Sequence, residues 1–242
     1  LEVIARDRFG NHLTSGGHGM DVRMLLLEDI GEGGLGRSAN IAAFDGRAAA
    51  LGAYANVRRT GINAIGINEG DRLITVKLTT GHDEVVLITS DGKSIRFNEE
   101  NVRSMGRTAA GVRGIRLGKK DRLVAAAIAT KDATLLVAGE NGVGKRTEFD
   151  EYRTQTRGGK GIITMKTTAK TGEVCGALAV KSNDEIMLIT VGGQMVRTGV
   201  DHIRMTGRNA QGVKLINLHG KDQLQAIAPV ISEDTDEEAG DE

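Results

Sequence analysis

The sequence predicts an all-β, propeller-like chain of about four blades, each made of four short antiparallel strands. Three observations predict it. The chain of 242 residues repeats itself at a period of about fifty, which marks a repeat architecture rather than one or two ordinary domains. Each repeat holds two strand-like runs joined by a glycine turn, a strong hairpin signal. No apolar 3.6-residue period runs through residues 73–231, which argues against a helical solenoid.

The hairpins align first. Residues 84–97 read EVVLITSDGKSIRF, residues 133–147 ATLLVAGENGVGKRT, and residues 184–198 DEIMLITVGGQMVRT. Each is an apolar run, a turn at Gly92, Gly142 or Gly192-Gly193, and a second strand ending in basic residues. Asp91-Gly92 and Asn141-Gly142 suit the positive φ of a tight turn, and the alternation Ser94-Ile95-Arg96-Phe97 suits a half-buried strand. A second feature repeats in phase: MGRTAAGVRGIRL at 105–117, QTRGGKGIITM at 155–165, TGRNAQGVKLI at 206–216, and a poorer copy, VRRTGINAIGI, at 57–67. Its glycines Gly61, Gly111, Gly161 and Gly212 are spaced 50, 50 and 51. A third feature closes each unit, an apolar strand starting at Leu73, Leu123, Val174 and Leu224. Four strands per unit is the arithmetic of a blade. Glycine, at 34 of 242 residues, is about twice as frequent as usual, and the turns and close blade contacts account for it.

The repeat assigns residues 49–231 to blades. Residues 1–48 do not fit: the period calls for a hairpin near residues 34–48, where the chain instead reads GEGGLG and an alanine-rich run. A diverged linker, a partial blade and an out-of-frame stretch all remain open for this leader. Residues 232–242 form an acidic tail, expected to be disordered. The absence of an initial Met suggests a piece of a longer chain.

The net charge of zero conceals an asymmetry. Residues 1–53 hold 7 acidic and 5 basic side chains, residues 54–231 hold 18 acidic and 27 basic, and the tail holds 7 acidic and none basic. A basic body beside an acidic tail is the composition of a polyanion binder with a built-in competitor; a merely solvated terminus is the plainer alternative. The single cysteine, Cys175, excludes an intramolecular disulfide and a multi-cysteine zinc site. No apolar run approaches the ~18 residues of a membrane span, and residues 1–20 lack a signal-peptide core. Six aromatic residues are too few for recognition by base stacking.

The recurrent loop carries the functional expectation. Arg58 and Arg59, then Arg107, Arg113 and Arg116, then Arg157 and Lys160, then Arg208 and Lys214, all lie in it. If the units are arranged radially, these cations form a stripe around one rim, suited to the phosphates of a bent duplex, with glycine letting backbone N–H groups approach phosphate oxygens. Arg58, Arg59, Arg107, Arg113, Arg157, Lys160, Arg208 and Lys214 are the candidate phosphate contacts, with Lys145 and Arg146 secondary.

Other motifs are weaker. Residues 139–145, GENGVGK, imitate a Walker A sequence, but Arg146 stands where Ser or Thr must ligate Mg²⁺, so a hairpin is expected. Gly31 to Gly36 match GxGxxG without a complete nucleotide-binding unit. The five histidines show no metal-ligand spacing, and Cys175 is expected to be a buried structural thiol. A propeller used as a protein-interaction platform is the main rival to DNA binding. A propeller enzyme would need convergent acids or a metal near the axis.

Residues 104–115 (SMGRTAAGVRGI), 54–62 (YANVRRTGI) and 152–161 (YRTQTRGGKG) resemble signatures of the C-terminal domain of bacterial DNA gyrase A, over about residues 49–231 and the tail. The resemblance implies a β-pinwheel, a ring of six blades in the complete domain, that wraps duplex DNA on its basic rim without base specificity. It implies a role in the ATP-dependent negative supercoiling of a type IIA topoisomerase. The assembly would be an A2B2 holoenzyme, with gyrase B and a second copy of gyrase A as partners, in the bacterial cytoplasm at the nucleoid. It implies no cofactor in this part of the chain, since ATP and Mg belong elsewhere in the holoenzyme, and no membrane. The relative in topoisomerase IV fits less well. The family's box, Q-R-R-G-G-K/R-G, has its nearest match in Gln155, Arg157, Gly158, Gly159, Lys160 and Gly161, with Thr156 in place of the first Arg. That suggests a degenerate later copy and a full box upstream. The family's cleavage tyrosine lies in another domain, and Tyr54 and Tyr152 sit inside blade motifs, so this chain is not expected to cleave DNA.

Overall fold

The computed structural model describes residues 23–29, 38–45, 72–105 and 111–230. In chain order the strands are β1 (Arg23–Asp29), β2 (Ser38–Asp45), β3 (Arg72–Thr79), β4 (Glu84–Thr89), β5 (Lys93–Asn98), β6 (Val112–Arg116), β7 (Leu123–Ala129), β8 (Thr134–Gly139), β9 (Val143–Glu148), β10 (Ile162–Ile163), β11 (Val174–Val180), β12 (Glu185–Thr190), β13 (Met195–Gly199), β14 (Val213–Lys214) and β15 (Leu224–Pro229). The only helices among the described residues are three single 3-10 turns, at 99–101, 149–151 and 200–202. The chain is therefore all-β and propeller-like.

The hairpins form where the glycine turns place them. Gly92, Gly142 and Gly193 have φ of +75°, +72° and +84°, a region open to glycine and strained for most other residues. Each hairpin takes its third strand from the segment that follows it, and the first three take a fourth from the next unit. The sheets run β6-β2-β1-β3, β10-β5-β4-β7, β14-β9-β8-β11 and β13-β12-β15. In the second sheet Ile162 and Ile163 pair with Ser94 and Lys93. One unit later Val213 and Lys214 pair with Gly144 and Val143. A break in register recurs where each third strand meets its hairpin, at Leu27/Glu28, Ile88/Thr89, Val174/Gly176 and Ile189/Thr190; such bulges sharpen strand twist.

The third strands meet one another across neighbouring sheets, β3 with β7, β7 with β11, and β11 with β15. They therefore face the axis, and the borrowed strands β6, β10 and β14 lie at the rim. Between sheets lie three apolar cores. Val85 and Leu87 of β4 enter one, with Ile95, Phe97 and Ile115; Val86 and Ile88 of the same strand enter the next, with Leu135, Val137 and Tyr152. Burial on both faces is why β4 and β8 are continuous apolar runs rather than alternating ones, and each such side chain contributes about 1.5–3 kcal/mol. The third core gathers Leu136, Ile186, Leu188, Val200, Ile203 and Ile216.

The hairpin β1–β2 lies within the first 48 residues, where the repeat period had been lost. A hairpin is present, at 23–45 rather than 34–48, and with β3 and β6 it makes a four-stranded sheet of the same order as the others. It begins 61 residues before β4, against 50 and 51 for the later hairpins, and eight residues separate its strands instead of three or four. Both the period and the short glycine turn are thus lost from the sequence, while the pairing survives. The strand that follows residues 31–36 also removes the nucleotide-binding reading, which requires a helix there.

Candidate nucleic-acid interface

The rim segment that leaves each hairpin crosses to the preceding sheet. After β9, Phe149 and Tyr152 anchor the 3-10 turn in the core, and the Tyr152 hydroxyl shares a 2.7 Å hydrogen bond with that of Thr164. Burial raises the pKa of this phenol, and its ring packs in the second apolar core. The chain then runs beside β5: the Gln155 N–H donates to the Arg96 carbonyl at 2.8 Å, a loop forms, and β10 returns antiparallel to β5. Gly158 and Gly161 have φ of +80° and +71°, so two of the three glycines of the box-like motif are required by the backbone. A Cβ on Gly161 would lie 2.5 Å from the Ser94 carbonyl oxygen. Gly111 and Gly212, in phase with it, also have positive φ, +78° and +97°.

Successive rim segments lock together. The Gly158 N–H donates to the Gly114 carbonyl at 2.5 Å, and the Arg116 N–H to the Gly159 carbonyl at 2.8 Å. Arg157 donates through Nε to the Asn101 carbonyl (2.8 Å) and through Nη1 to the Arg113 carbonyl (3.0 Å). One unit on, Arg208 donates through Nη1 to the Ile163 carbonyl at 2.5 Å. Sequence phase therefore brings Arg157 and Arg208 to the rim, each with part of its guanidinium engaged in holding loops together.

Arg113, Lys160 and Lys214 are exposed, and the Lys214 ammonium donates to Asn217 Oδ1 at 3.0 Å. Arg58, Arg59 and Arg107 lie outside the described residues. Two secondary candidates are corrected. Lys145 is fully buried, and its ammonium donates to the carbonyls of Gly207 (2.8 Å) and Arg208 (2.5 Å); it supports the rim loop from beneath. Arg146 is half-buried, donating through Nε to the Ile203 carbonyl (2.6 Å) and through Nη1 to Ser182 Oγ (3.0 Å). Both sit on β9 inside a blade, where adjacent basic residues point to opposite faces and neither face is free.

Burial pushes the Lys145 pKa down to about 8, with Glu151 opposing and Arg208 adding to the shift. The ordinary lysine value is 10.5. Between these values the unfolded chain holds a proton that the folded chain has released, so stability rises with pH. Denaturation midpoints measured from pH 8 to 10 are expected to carry this rise, and Lys145→Met to flatten it; equal slopes in both proteins would contradict the buried ammonium.

The phase contains cations that motif inspection passed over. Arg103, Arg153 and Arg204, spaced 50 and 51, each follow a 3-10 turn and one buried anchor, Val102, Tyr152 or Ile203. All three are exposed, and none has a carboxylate partner among the described residues. Their common signal is the spacing; of the three only Arg153 lies within a quoted motif, residues 152–161. Arg116 and Lys166 form a further exposed pair 50 apart.

The axial side differs. A cleft of about 530 Å³ lies among the starts of β3, β7 and β15, lined in part by Arg122, Glu140 and Cys175. Arg122 pairs with Glu173 and Glu140 at 2.5 and 3.5 Å. The half-buried Cys175 thiol donates to the Ala138 carbonyl, and burial pushes its pKa up to about 12. Among the described residues no cluster of three His, Cys, Asp or Glu side chains is arranged to hold a metal, and no helix is long and apolar enough to cross a membrane. The Walker-like residues 139–145 form the end of β8, a turn and the start of β9.

Comparison with known proteins converges on one family. The description "DNA gyrase C-terminal domain, beta-propeller" matches residues 50–80, 83–130, 133–181 and 184–231. The A subunit of DNA gyrase from Klebsiella oxytoca is 44% identical over 185 residues, 76% of this chain and 21% of that protein. Its counterpart from Halalkalibacterium halodurans is 54% identical over 184 residues, 76% of this chain and 22% of that protein. The chain thus spans about a fifth of the length of these curated relatives. A solved DNA gyrase A C-terminal domain superposes with a TM-score of 0.74 at 26% identity, over 88% of this chain and 67% of that one. The C-terminal domain of DNA topoisomerase IV shares the fold, with a TM-score of 0.76 at 23% identity over 87% of this chain and 62% of that one.

Proposed function

Because the chain belongs to the family of DNA gyrase C-terminal β-propeller domains, we propose that it binds duplex DNA on its rim and bends it, without reading sequence. The observation that carries this reading is the phased set of exposed cations on consecutive rim segments: Arg103, Arg153 and Arg204 after the 3-10 turns, with Arg113, Lys160 and Lys214 on or beside the borrowed strands. Each neutralised phosphate releases condensed counterions, so affinity accumulates blade by blade without base contacts. Bending a 20–30 base-pair site costs about 1–6 kcal/mol, an amount that contacts spread over several blades can offset. Arg157 and Arg208 then act mainly by fixing the rim loops, and the free donors of their guanidinium groups add positive potential. In a longer protein the bent duplex would be handed to DNA-passage machinery, with gyrase B and a second copy of gyrase A as partners in the bacterial cytoplasm and with ATP and Mg used elsewhere in the assembly. Val191 and Met195, exposed at the tip of the β12–β13 hairpin, are the feature that favours a protein-binding role, and they are confined to one blade.

Binding of a labelled duplex across a salt series tests the proposal. With about six cations on phosphates, log Kobs is expected to fall against log[salt] with a slope near −5, and relaxed plasmid closed by a ligase in the presence of the chain is expected to retain constrained writhe. Salt-insensitive binding, or none, would overturn it.

A further inference from the structure

The hairpin turns and the starts of the axial strands lie at one end of the sheets, where Thr89 pairs with Leu123 and Thr190 with Leu224. The 3-10 turns follow the other end, where Glu84 pairs with Asn98. On the turn face, the loop after a borrowed strand runs from one hairpin turn to the next. The loop after β10 starts where the Thr164 and Met165 N–H groups donate to the Gly92 carbonyl at 2.8 and 3.1 Å. It ends where the Asn141 N–H donates to the Thr171 carbonyl at 3.1 Å. The loop after β14 starts with the Leu215 N–H on the Gly142 carbonyl at 2.8 Å and ends with the Gly192 N–H on Asp222 Oδ1 at 2.8 Å. The loop after β6 ends with the Asp91 N–H on Asp121 Oδ1 at 2.9 Å. A lysine stands one residue before each of these end anchors: Lys120, Lys170 and Lys221, spaced 50 and 51 like Gly111, Gly161 and Gly212. All three are exposed, and none has a carboxylate partner among the described residues. The carboxylates around them are engaged: Asp121 is buried, Asp222 holds its turn, and Glu140 and Glu173 pair with Arg122.

The opposite face repeats a different charge. Glu100, Asp150 and Asp201, again spaced 50 and 51, are exposed in the three 3-10 turns. We propose that the turn face is a second DNA surface, on which a straight duplex lies flat while another is bent round the rim. The inference rests on the DNA-binding reading above and adds a second segment to it. A flat face asks for no bending, so the deformation cost of the rim is absent there. A duplex carries about one charge per 1.7 Å of its axis, and a lysine carries its own charge on a flexible four-carbon stem. Three lysines on anchored loops therefore find phosphates without a matched spacing. Arg116 and Lys166, exposed at the rim ends of the same loops, extend the positive surface from the rim onto this face, which favours DNA over an acidic protein as its occupant.

Bridging of two duplexes by the full chain tests this. A long duplex is held on a surface, the chain is bound to it at low salt, and a short labelled duplex is added. The unmodified chain is expected to retain the short duplex, and sedimentation to find one chain in the complex. With about three phosphates engaged, retention is expected to follow log[salt] with a slope of about −2.7, so the second duplex leaves before the first as salt rises. Lys120→Gln with Lys170→Gln is expected to cut retention tenfold or more, with binding of the first duplex and its constrained writhe unchanged. Lys131→Gln with Lys181→Gln removes the same charge from exposed positions at the opposite end and is expected to leave retention as it was. Equal losses in the two paired variants, two chains in the bridged complex, or no retention while the first duplex stays bound would overturn the second surface alone. Retention of polyglutamate but not of the second duplex would assign the face to an acidic protein and overturn it as well. Absence of binding to any duplex at any salt would overturn the DNA reading and this surface with it. Both variants are expected to keep the denaturation midpoint of the unmodified chain; a large drop for the Lys120 and Lys170 variant would make these lysines structural and overturn the proposal.

Discussion

Gly161→Ala is expected to destabilise the chain by about 3 kcal/mol or more, a magnitude reserved for strained or clashing sites. Two costs combine. The φ of +71° at Gly161 is a left-handed conformation that costs an L residue about 1–2 kcal/mol. The new Cβ would also lie 2.5 Å from the Ser94 carbonyl oxygen and 3.0 Å from its carbon. Those are backbone atoms of β5, held between Ile88 on one side and Ile162 on the other, so relief requires β10 to leave its sheet. Gly193→Ala is the matched control. Its φ is +84°, but nothing lies within 4 Å of the added carbon, so only the conformational cost of about 1–2 kcal/mol remains. Chemical denaturation of both variants measures the difference. Equal losses would mean that the close approach of rim loop and blade contributes nothing.

The second large effect is expected from Arg96→Ala. Arg96 pairs through Nε and Nη2 with Glu84 across the β4–β5 hairpin, and donates through Nη1 to the carbonyls of Phe149 (2.6 Å) and Tyr152 (3.2 Å) in the next unit. Glu84 Oε1 also accepts from the Thr154 hydroxyl at 2.6 Å. One side chain thus ties a blade to its neighbour's crossing segment. Its removal leaves a carboxylate of 26% exposure and two carbonyls short of donors, a loss of about 2–4 kcal/mol. Arg197 occupies the same place in the last hairpin and pairs with Glu185, but at 56% and 42% exposure solvent screens the pair. Arg197→Ala is therefore expected to leave the denaturation midpoint nearly unchanged, and a comparable loss at both sites would remove the argument from burial. The acid response has a definite sign. Burial works to raise the Glu84 pKa, but the Arg96 and Thr154 hydrogen bonds and the Arg96 charge outweigh it and hold the group below its ordinary 4.5. The stability it contributes is present above that value and is lost as pH falls through the lowered one. Arg96→Ala is expected to weaken this acid sensitivity.

Much of the fold was legible because a repeat states the same local rule several times. The turns at Gly92 and Gly142 and the rim glycines Gly111, Gly161 and Gly212 stand where the period puts them, each at positive φ. The β1–β2 hairpin was not legible, because an eight-residue separation of its strands and a 61-residue offset erase the period while backbone pairing tolerates both. The cations divide in the same way. Lys145 and Arg146 look like their exposed counterparts in composition, but β9 is covered on both faces and turns their donors onto carbonyls. Arg103, Arg153 and Arg204 share no common motif, and the 3-10 turns before them are what place all three in solvent.

The residues alone establish four-stranded units, their turns, the family, and a basic body beside an acidic tail, because each of these depends on local backbone chemistry or on charge counted along the chain. Tertiary structure decides that the fourth strand of a blade is borrowed from the next unit, that Lys145 is buried while Lys160 is exposed, and that Ile163 is exposed beside the half-buried Ile162. The physical reason is that exposure and strand exchange depend on what covers a residue. At this rim the cover comes from a segment about sixty residues away: Gly207 and Arg208 over Lys145, and Tyr152 and Phe149 over Arg96.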